Sequence, residues 1–197
     1  MKTVIIFDHP YTAAAYQNVP HHRSFLAAVA HQVQQQLQAE QQTVDLIDLH
    51  ADGFDPVMSA AELQLWRQGQ PVNDQVADYQ RRLRAADQII FMFPVWWEVM
   101  PAMTKGFLDK VYAKGQLYAA DTMQTTLTQH PQIRVITTMS TPNWAYRWIF
   151  GAPLRKALQR GTFMKTRLWR FKWQTFSQVE KLTAAQRATR LANFRLK

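Results

Sequence analysis

Three short segments hold the side chains best suited to chemistry, and each follows an apolar run. The first begins Asp8-His9-Pro10-Tyr11 and continues through His21, His22 and Arg23 to Ser24-Phe25. It leads into a helix start, whose free N–H groups and dipole suit a phosphate. His9 and Arg23 add donors, and Ser24 adds a hydroxyl. The segment has neither G-x-G-x-x-G nor G-x-x-x-x-G-K-[ST], which disfavours a Rossmann dinucleotide turn and leaves no ATP P-loop. His21 and His22 have no carboxylate or i,i+4 histidine partner, so they read as exposed loop residues rather than metal ligands.

The second segment is Phe93-Pro94-Val95-Trp96-Trp97-Glu98-Val99-Met100-Pro101. Two adjacent tryptophans cannot both face the core from one regular element. At least one is expected over a pocket or a partner, although tryptophans capping a core fit the same residues. Two prolines stiffen the path, and a rigid loop with backbone amides and an aromatic wall suits a flat heteroaromatic ring. The third segment follows the apolar run ending at Met139.

The elements that must position these loops alternate. Strands are expected at Thr3–Phe7, Thr43–Asp48, Gln88–Phe93 and Ile133–Met139. A fifth strand is expected where Trp169, Phe171 and Trp173 alternate with Arg170, Lys172 and Gln174. Helices are expected from Ser24, a good N-cap, to about Gln41, and within Ser59–Arg84. Others should run from Pro101 toward Gly115, over Trp144–Arg160, and over Ala184–Phe194 with Thr183 as N-cap. Asp109 and Lys110 are expected to cap or pair at a helix surface. Short apolar strands alternating with helices imply a parallel sheet covered on both faces, with ligands beyond the carboxyl ends of the strands. All three segments lie there.

A chain of 197 residues that is 47% hydrophobic suits one domain over residues 1–197. No apolar run reaches the roughly 20 residues needed to span a bilayer, and Asp8 comes too early for a signal peptide, so a cytoplasmic location is expected. The absence of cysteine excludes disulfides, thiolate metal sites and Cys nucleophiles. The net charge of +9 is unevenly spread: residues 1–146 hold 10 Lys+Arg and 13 Asp+Glu, whereas residues 147–197 hold 13 Lys+Arg and one acid, Glu180. Such a basic quarter could meet nucleic acid, an anionic membrane surface, an acidic partner or a phosphorylated cofactor, or could simply be a solvated face. No nucleic-acid motif accompanies it, so no nucleic-acid partner is expected.

The run from Phe93 through Lys105-Gly106-Phe107-Leu108-Asp109-Lys110-Val111-Tyr112, with Gly115 and Tyr118, resembles the signature of the NAD(P)H:quinone oxidoreductase family. That family includes DT-diaphorase, the modulator of drug activity B proteins and the potassium-efflux ancillary oxidoreductases. The resemblance covers about residues 3–151 and is most specific in this central block. It implies an α/β flavodoxin-like three-layer sandwich with a five-stranded parallel sheet in the order 2-1-3-4-5. It also implies FMN, with FAD as the alternative, and NAD(P)H as electron donor to a quinone or similar electron-poor acceptor by a ping-pong route.

By position, the resemblance implies that His9, Ser24 and Phe25 hold the flavin phosphate or ribityl end, with Arg23 in place of a usual phosphate contact. Pro94, Val95, Trp96 and Trp97 would cradle the isoalloxazine. Thr137, Thr138, Met139 and Ser140 would line its other edge, and Tyr146 would donate toward N1 and O2. A homodimer is implied, its acceptor pocket completed by the partner, with Trp66, Tyr118, Trp144 and Trp148 as candidate contributors. The potassium-efflux relatives offer a second reading, a flavin-bearing ancillary subunit of a membrane transporter. The chain departs from the family at Met139-Ser140, where DT-diaphorase-like members have Gly-Gly. It departs again at Phe150, where they have a histidine, so the proton relay of that subgroup is not carried over.

Overall fold

A computed structural model describes residues 1–17 and 23–196. Its centre is a five-stranded sheet in the order β2-β1-β3-β4-β5. The strands are β1 Lys2–Phe7, β2 Thr43–Asp48, β3 Gln88–Pro94, β4 Gln132–Met139 and β5 Phe171–Ser177, all paired in parallel. The two-residue period of a strand splits the apolar side chains between two cores. Val4, Ile6, Ile89, Phe91 and Phe93 face one; Ile5, Phe7, Ile90 and Met92 face the other. β3 is central and buried along its whole length, as its unbroken apolar run requires.

Helices cover both faces. α1 (Phe25–Ala39) and α7 (Ala184–Ala192) close one side, α1 burying Leu26, Val29, Val33 and Leu37. Both start where expected. Ser24 accepts the N–H of Ala27 at 3.1 Å, and Thr183 forms a reciprocal capping box with Gln186. The other side holds α2 (Ala60–Arg67), α3 (Asp74–Arg84), α4 (Ala102–Lys110), α5 (Asn143–Trp148) and α6 (Pro153–Arg155), which continues as a π-helix, Lys156–Met164. No helix among the described residues is long and apolar enough to cross a membrane.

Several boundaries differ from expectation for backbone reasons. The stretch Ser59–Arg84 is two helices, broken at Gly69, whose φ is +73°, and Pro71. The stretch Trp144–Arg160 is interrupted at Gly151 and Ala152, both at positive φ, and then runs on to Met164. α4 ends at Lys110 rather than near Gly115. Strand five begins at Phe171, so Trp169 precedes it and is 64% exposed.

Lys110 also corrects an expectation. Asp109 does pair at the surface, with Lys105 at 2.6 Å. Lys110 is buried instead, and its Nζ donates to the carbonyls of Asp55 and Val57 at 3.0 Å and to the Glu62 carboxylate at 2.7 Å. The loop before α2 is thereby fastened to α4. Gly106 allows this approach, because a Cβ there would stand 2.4 Å from Pro56.

Candidate functional site: the carboxyl edge of the sheet

The site is built where β1, β3 and β4 end side by side. After β1, Asp8 is buried, and its carboxylate accepts both the N–H and the hydroxyl of Thr104 and lies 3.1 Å from His50 Nε2. α4 has Pro101 at its N-cap position with no side-chain cap, so Asp8 serves as a remote cap for that helix. Asp48, at the end of β2, accepts the N–H of Ala13 at 2.6 Å and that of Ala51 at 3.2 Å. Burial pushes its carboxyl up despite those two bonds. The first loop is thus tied down from below by two acids.

His9 is half-buried above them. Its Nδ1 accepts the N–H of Tyr11 at 3.1 Å, which leaves Nε2 to carry the proton in the neutral ring. Burial lowers its pKa, opposed by the charge of Asp8 and reinforced by His50. Beyond it, Ser24 caps α1, and the N–H groups of Phe25 and Leu26 make no bond among the described residues. Arg23, Ser24 and Phe25 line a groove of about 520 Å³ with Tyr16 and Arg187. His21 and His22 lie outside the described residues.

The tryptophan loop leaves β3 as a tight turn. Val95 donates to the Thr138 carbonyl at 2.7 Å, fixing the loop to β4. Trp96 and Val99 then exchange both main-chain bonds, N–H to carbonyl at 3.0 and 3.1 Å, around Trp97 and Glu98. These central residues have φ of +49° and +64°. That is the type I′ geometry, which strongly favours glycine and asparagine, so a Trp-Glu pair stores backbone strain here. Neither central N–H is bonded among the described residues. Trp97 is 97% exposed and Trp96 48%. Both tryptophans therefore project from the core, more than the sequence required.

The strain is held by the side and main chain of Glu98. Its carboxylate Oε1 accepts the Thr141 hydroxyl, and its carbonyl accepts the Tyr146 hydroxyl at 3.2 Å. The other carboxylate oxygen, Oε2, is buried with no partner among the described residues. Val95, Trp96, Trp97, Glu98, Ser140 and Thr141 line a cleft of about 340 Å³.

Of the residues expected at the site, the structure brings Val95, Trp96, Trp97 and Ser140 to this cleft, with Pro94 opening the loop. Thr138 takes part through its carbonyl. Thr137 and Met139 do not line the cleft. Thr137 is buried, donating to Thr175 at 2.9 Å and accepting from Trp173 Nε1 at 3.0 Å, while Met139 packs into the core and its carbonyl accepts from Gln178. The alternation of β4 turns alternate side chains inward, which explains both. Tyr146 is corrected likewise. It is fully buried, with its hydroxyl shared between Glu98 and the N–H of Leu154 at 2.9 Å, and burial pushes its pKa up to about 12. It stands beneath the turn and does not line the cleft. Of the proposed pocket contributors, Trp66 and Tyr118 pack against the core, whereas Trp144 and Trp148 are exposed.

Sequence reasoning missed Asp8, Asp48, Glu98 and Thr104. Asp8 carried a usable signal, an acid at the carboxyl end of a buried strand; Glu98 carried none, because a positive φ at a non-glycine residue is invisible in sequence.

The geometry meets its relatives at this point. The family described as having a flavodoxin-like fold matches residues 1–196. The chain belongs to that family. An uncharacterized NAD(P)H oxidoreductase of Haemophilus influenzae is 33% identical over 121 residues, covering 61% of this chain and 55% of the relative. The chain's match spans about half the length of the curated relatives. The solved structure of Smu.1420 from Streptococcus mutans superposes with a TM-score of 0.79 at 29% identity, covering 98% of this chain and 95% of that one. An FMN-dependent NADH-azoreductase of Bacillus anthracis, solved with FMN, shares the fold with a TM-score of 0.74 at 16% identity, covering 97% and 94%.

Proposed function

We propose that this chain is an FMN-dependent NAD(P)H oxidoreductase acting on a quinone or similar electron-poor acceptor. One observation carries the reading: a strained I′ turn presents two N–H groups that are unbonded among the described residues, and two exposed tryptophans, at the carboxyl edge of β3. Strain of this kind persists where the surroundings over-determine it, as at ligand clamps. The flavodoxin-like family and the NAD(P)H oxidoreductase named among its relatives support the same assignment.

The residues fit the group. The N–H groups of Phe25 and Leu26 at the start of α1, unbonded among the described residues, suit a phosphate together with Ser24, Arg23 and the His9 Nε2 donor. The turn and its tryptophans suit a flat ring, which they would cover while its polar edge meets the N–H groups of Trp97 and Glu98. When bound, FMN supplies hydride acceptance from NAD(P)H and delivery of two electrons to the acceptor, the two substrates alternating in one slot. The chain contributes position, exclusion of water by Trp96 and Trp97, and donors held by Thr138 and Tyr146. No protein nucleophile takes part.

The test is steady-state oxidation of NAD(P)H with a soluble quinone. The expected result is a parallel-line pattern when both substrates are varied, with activity reduced at least about tenfold in W97A. Failure of the FMN-loaded chain to oxidise either nicotinamide would overturn the assignment.

A further inference from the structure

Asp8 serves two imidazoles and a helix at once. It is buried, and its two carboxylate oxygens are used differently. Oδ2 accepts the N–H and the hydroxyl of Thr104 and so is committed to α4. Oδ1 lies 3.1 Å from Nε2 of His50. An ionised carboxylate only accepts, so Nε2 of His50 carries a hydrogen in the neutral ring and in the charged one alike. The His50 side chain is 27% exposed, which lets water deliver the second proton. The other imidazole, His9, follows Asp8 in the chain and is half-buried.

The charged groups around this cluster come from three elements. β1 leads into Asp8 and His9. β2 ends in Asp48, whose carboxyl feels the charge of His50 and of Asp52, and Asp52 in turn accepts the Tyr79 hydroxyl of α3 at 2.8 Å. From α4 it is the uncharged Thr104 that meets Asp8. Among the described residues no Lys or Arg pairs with Asp8, Asp48 or Asp52. The counter-charge available to buried Asp8 is therefore a histidine, a group whose charge changes with pH and with its surroundings.

We propose that His9 and His50 compete for the charge of Asp8, which makes His50 a positioning residue for the phosphate seat. Through Asp8 it sets how readily His9 becomes the cation that meets a phosphate. With His50 neutral, the carboxylate favours a charged His9. With His50 charged, that carboxylate is offset, and the two imidazolium rings repel. The directions at His9 agree: burial holds its pKa down, Asp8 raises it and His50 lowers it. A phosphate arriving at His9 would charge that ring with a proton from water. By reciprocity it would also make His50 readier to lose its own. The identity of the occupant, an FMN phosphate, rests on the function proposed above; the competition for Asp8 does not.

The experiment follows the His9 ring by NMR through a pH titration of the full chain, wild type against H50Q. Glutamine keeps a side-chain N–H for Asp8 but cannot take up the charge. The His9 midpoint is expected to rise by at least about half a pH unit in H50Q. It should fall in D8N, which keeps an oxygen for Thr104 and loses the charge. A merely structural disturbance would not move the midpoint in these opposite directions. An unmoved or lowered midpoint in H50Q would overturn the proposal. The second readout is affinity for FMN and for riboflavin, which lacks the phosphate. Between about pH 7.5 and about pH 6, FMN affinity should gain at least about threefold more in H50Q than in the wild type. Riboflavin should show no such difference, and H9Q/H50Q should abolish it. An equal effect on riboflavin, or one that survives in H9Q/H50Q, would overturn the link to the phosphate seat. A raised midpoint in a chain that binds neither flavin would leave the competition standing and remove the redox reading; flavin binding with an unmoved midpoint would do the reverse.

Discussion

The hydroxyl of Tyr146 donates to the main-chain oxygen of Glu98 at 3.2 Å while accepting the N–H of Leu154 at 2.9 Å. One buried tyrosine thus joins the strained turn after β3 to the start of α6. Replacing it by phenylalanine keeps the ring packed against Trp173 but leaves a buried N–H without an acceptor. Tyr146→Phe is expected to cost about 1–3 kcal/mol of stability in urea denaturation. It should also weaken flavin affinity, because the turn loses one of its holds. Unchanged affinity would show that the remaining bonds of Thr138 and Thr141 fix the turn without Tyr146.

Trp97 lies in the left-handed region at φ +49° and is 97% exposed. Its removal sacrifices little packing in the ligand-free chain, and glycine accepts that backbone freely. Trp97→Gly should therefore raise stability by about 1 kcal/mol while lowering flavin affinity. A midpoint that falls on denaturation would contradict the strain argument.

His9 offers a pH test. Burial lowers its pKa, with Asp8 opposing and His50 adding to the shift. The unfolded chain then takes the proton first, so this group costs stability as pH falls below about 6.5. A phosphate bound beside it would favour the charged ring, so binding should take up a proton. Flavin-phosphate affinity should strengthen as pH falls from about 7.5 to 6 more in the wild type than in His9→Gln, a comparison that cancels the ligand's own titration. Identical pH profiles would remove His9 from the phosphate seat.

Lys110 is 1% exposed on its side chain and holds two carbonyls and Glu62. Lys110→Met preserves volume but strands these acceptors. The expected loss is about 3 kcal/mol or more in denaturation, with little change in the cleft. A loss below about 1 kcal/mol would mean that water reaches Glu62 and replaces the ammonium.

The alternation of strands and helices was legible because it depends on periodicity; the order of the strands came with the family resemblance. The unbroken apolar run of β3 and the caps Ser24 and Thr183 lie where local chemistry decides. The second half of the site depends on features with no local signature. Thr137 and Met139 are neighbours of useful residues in sequence, yet the strand period turns their side chains away from the cleft. Tyr146 was matched by position, but its depth is set by packing on Trp173 and by the bend at Gly151-Ala152. Asp8 caps a helix 96 positions away, a relation that only the tertiary fold creates. Lys110 departs from expectation because a charged residue at the end of a helix ordinarily faces water, as the neighbouring Asp109 does, whereas its burial depends on partners in the loop before α2.

The strained Trp97-Glu98 turn and the start of α1 are together expected to hold FMN. The most direct measurement is the absorption spectrum of the purified chain after incubation with FMN and removal of excess, followed by mass analysis of the released ligand. A band near about 450 nm, one FMN per chain, and loss of that band in Trp97→Gly are the expected results. A colourless chain that takes up neither FMN nor FAD would rule out a flavin site at this turn.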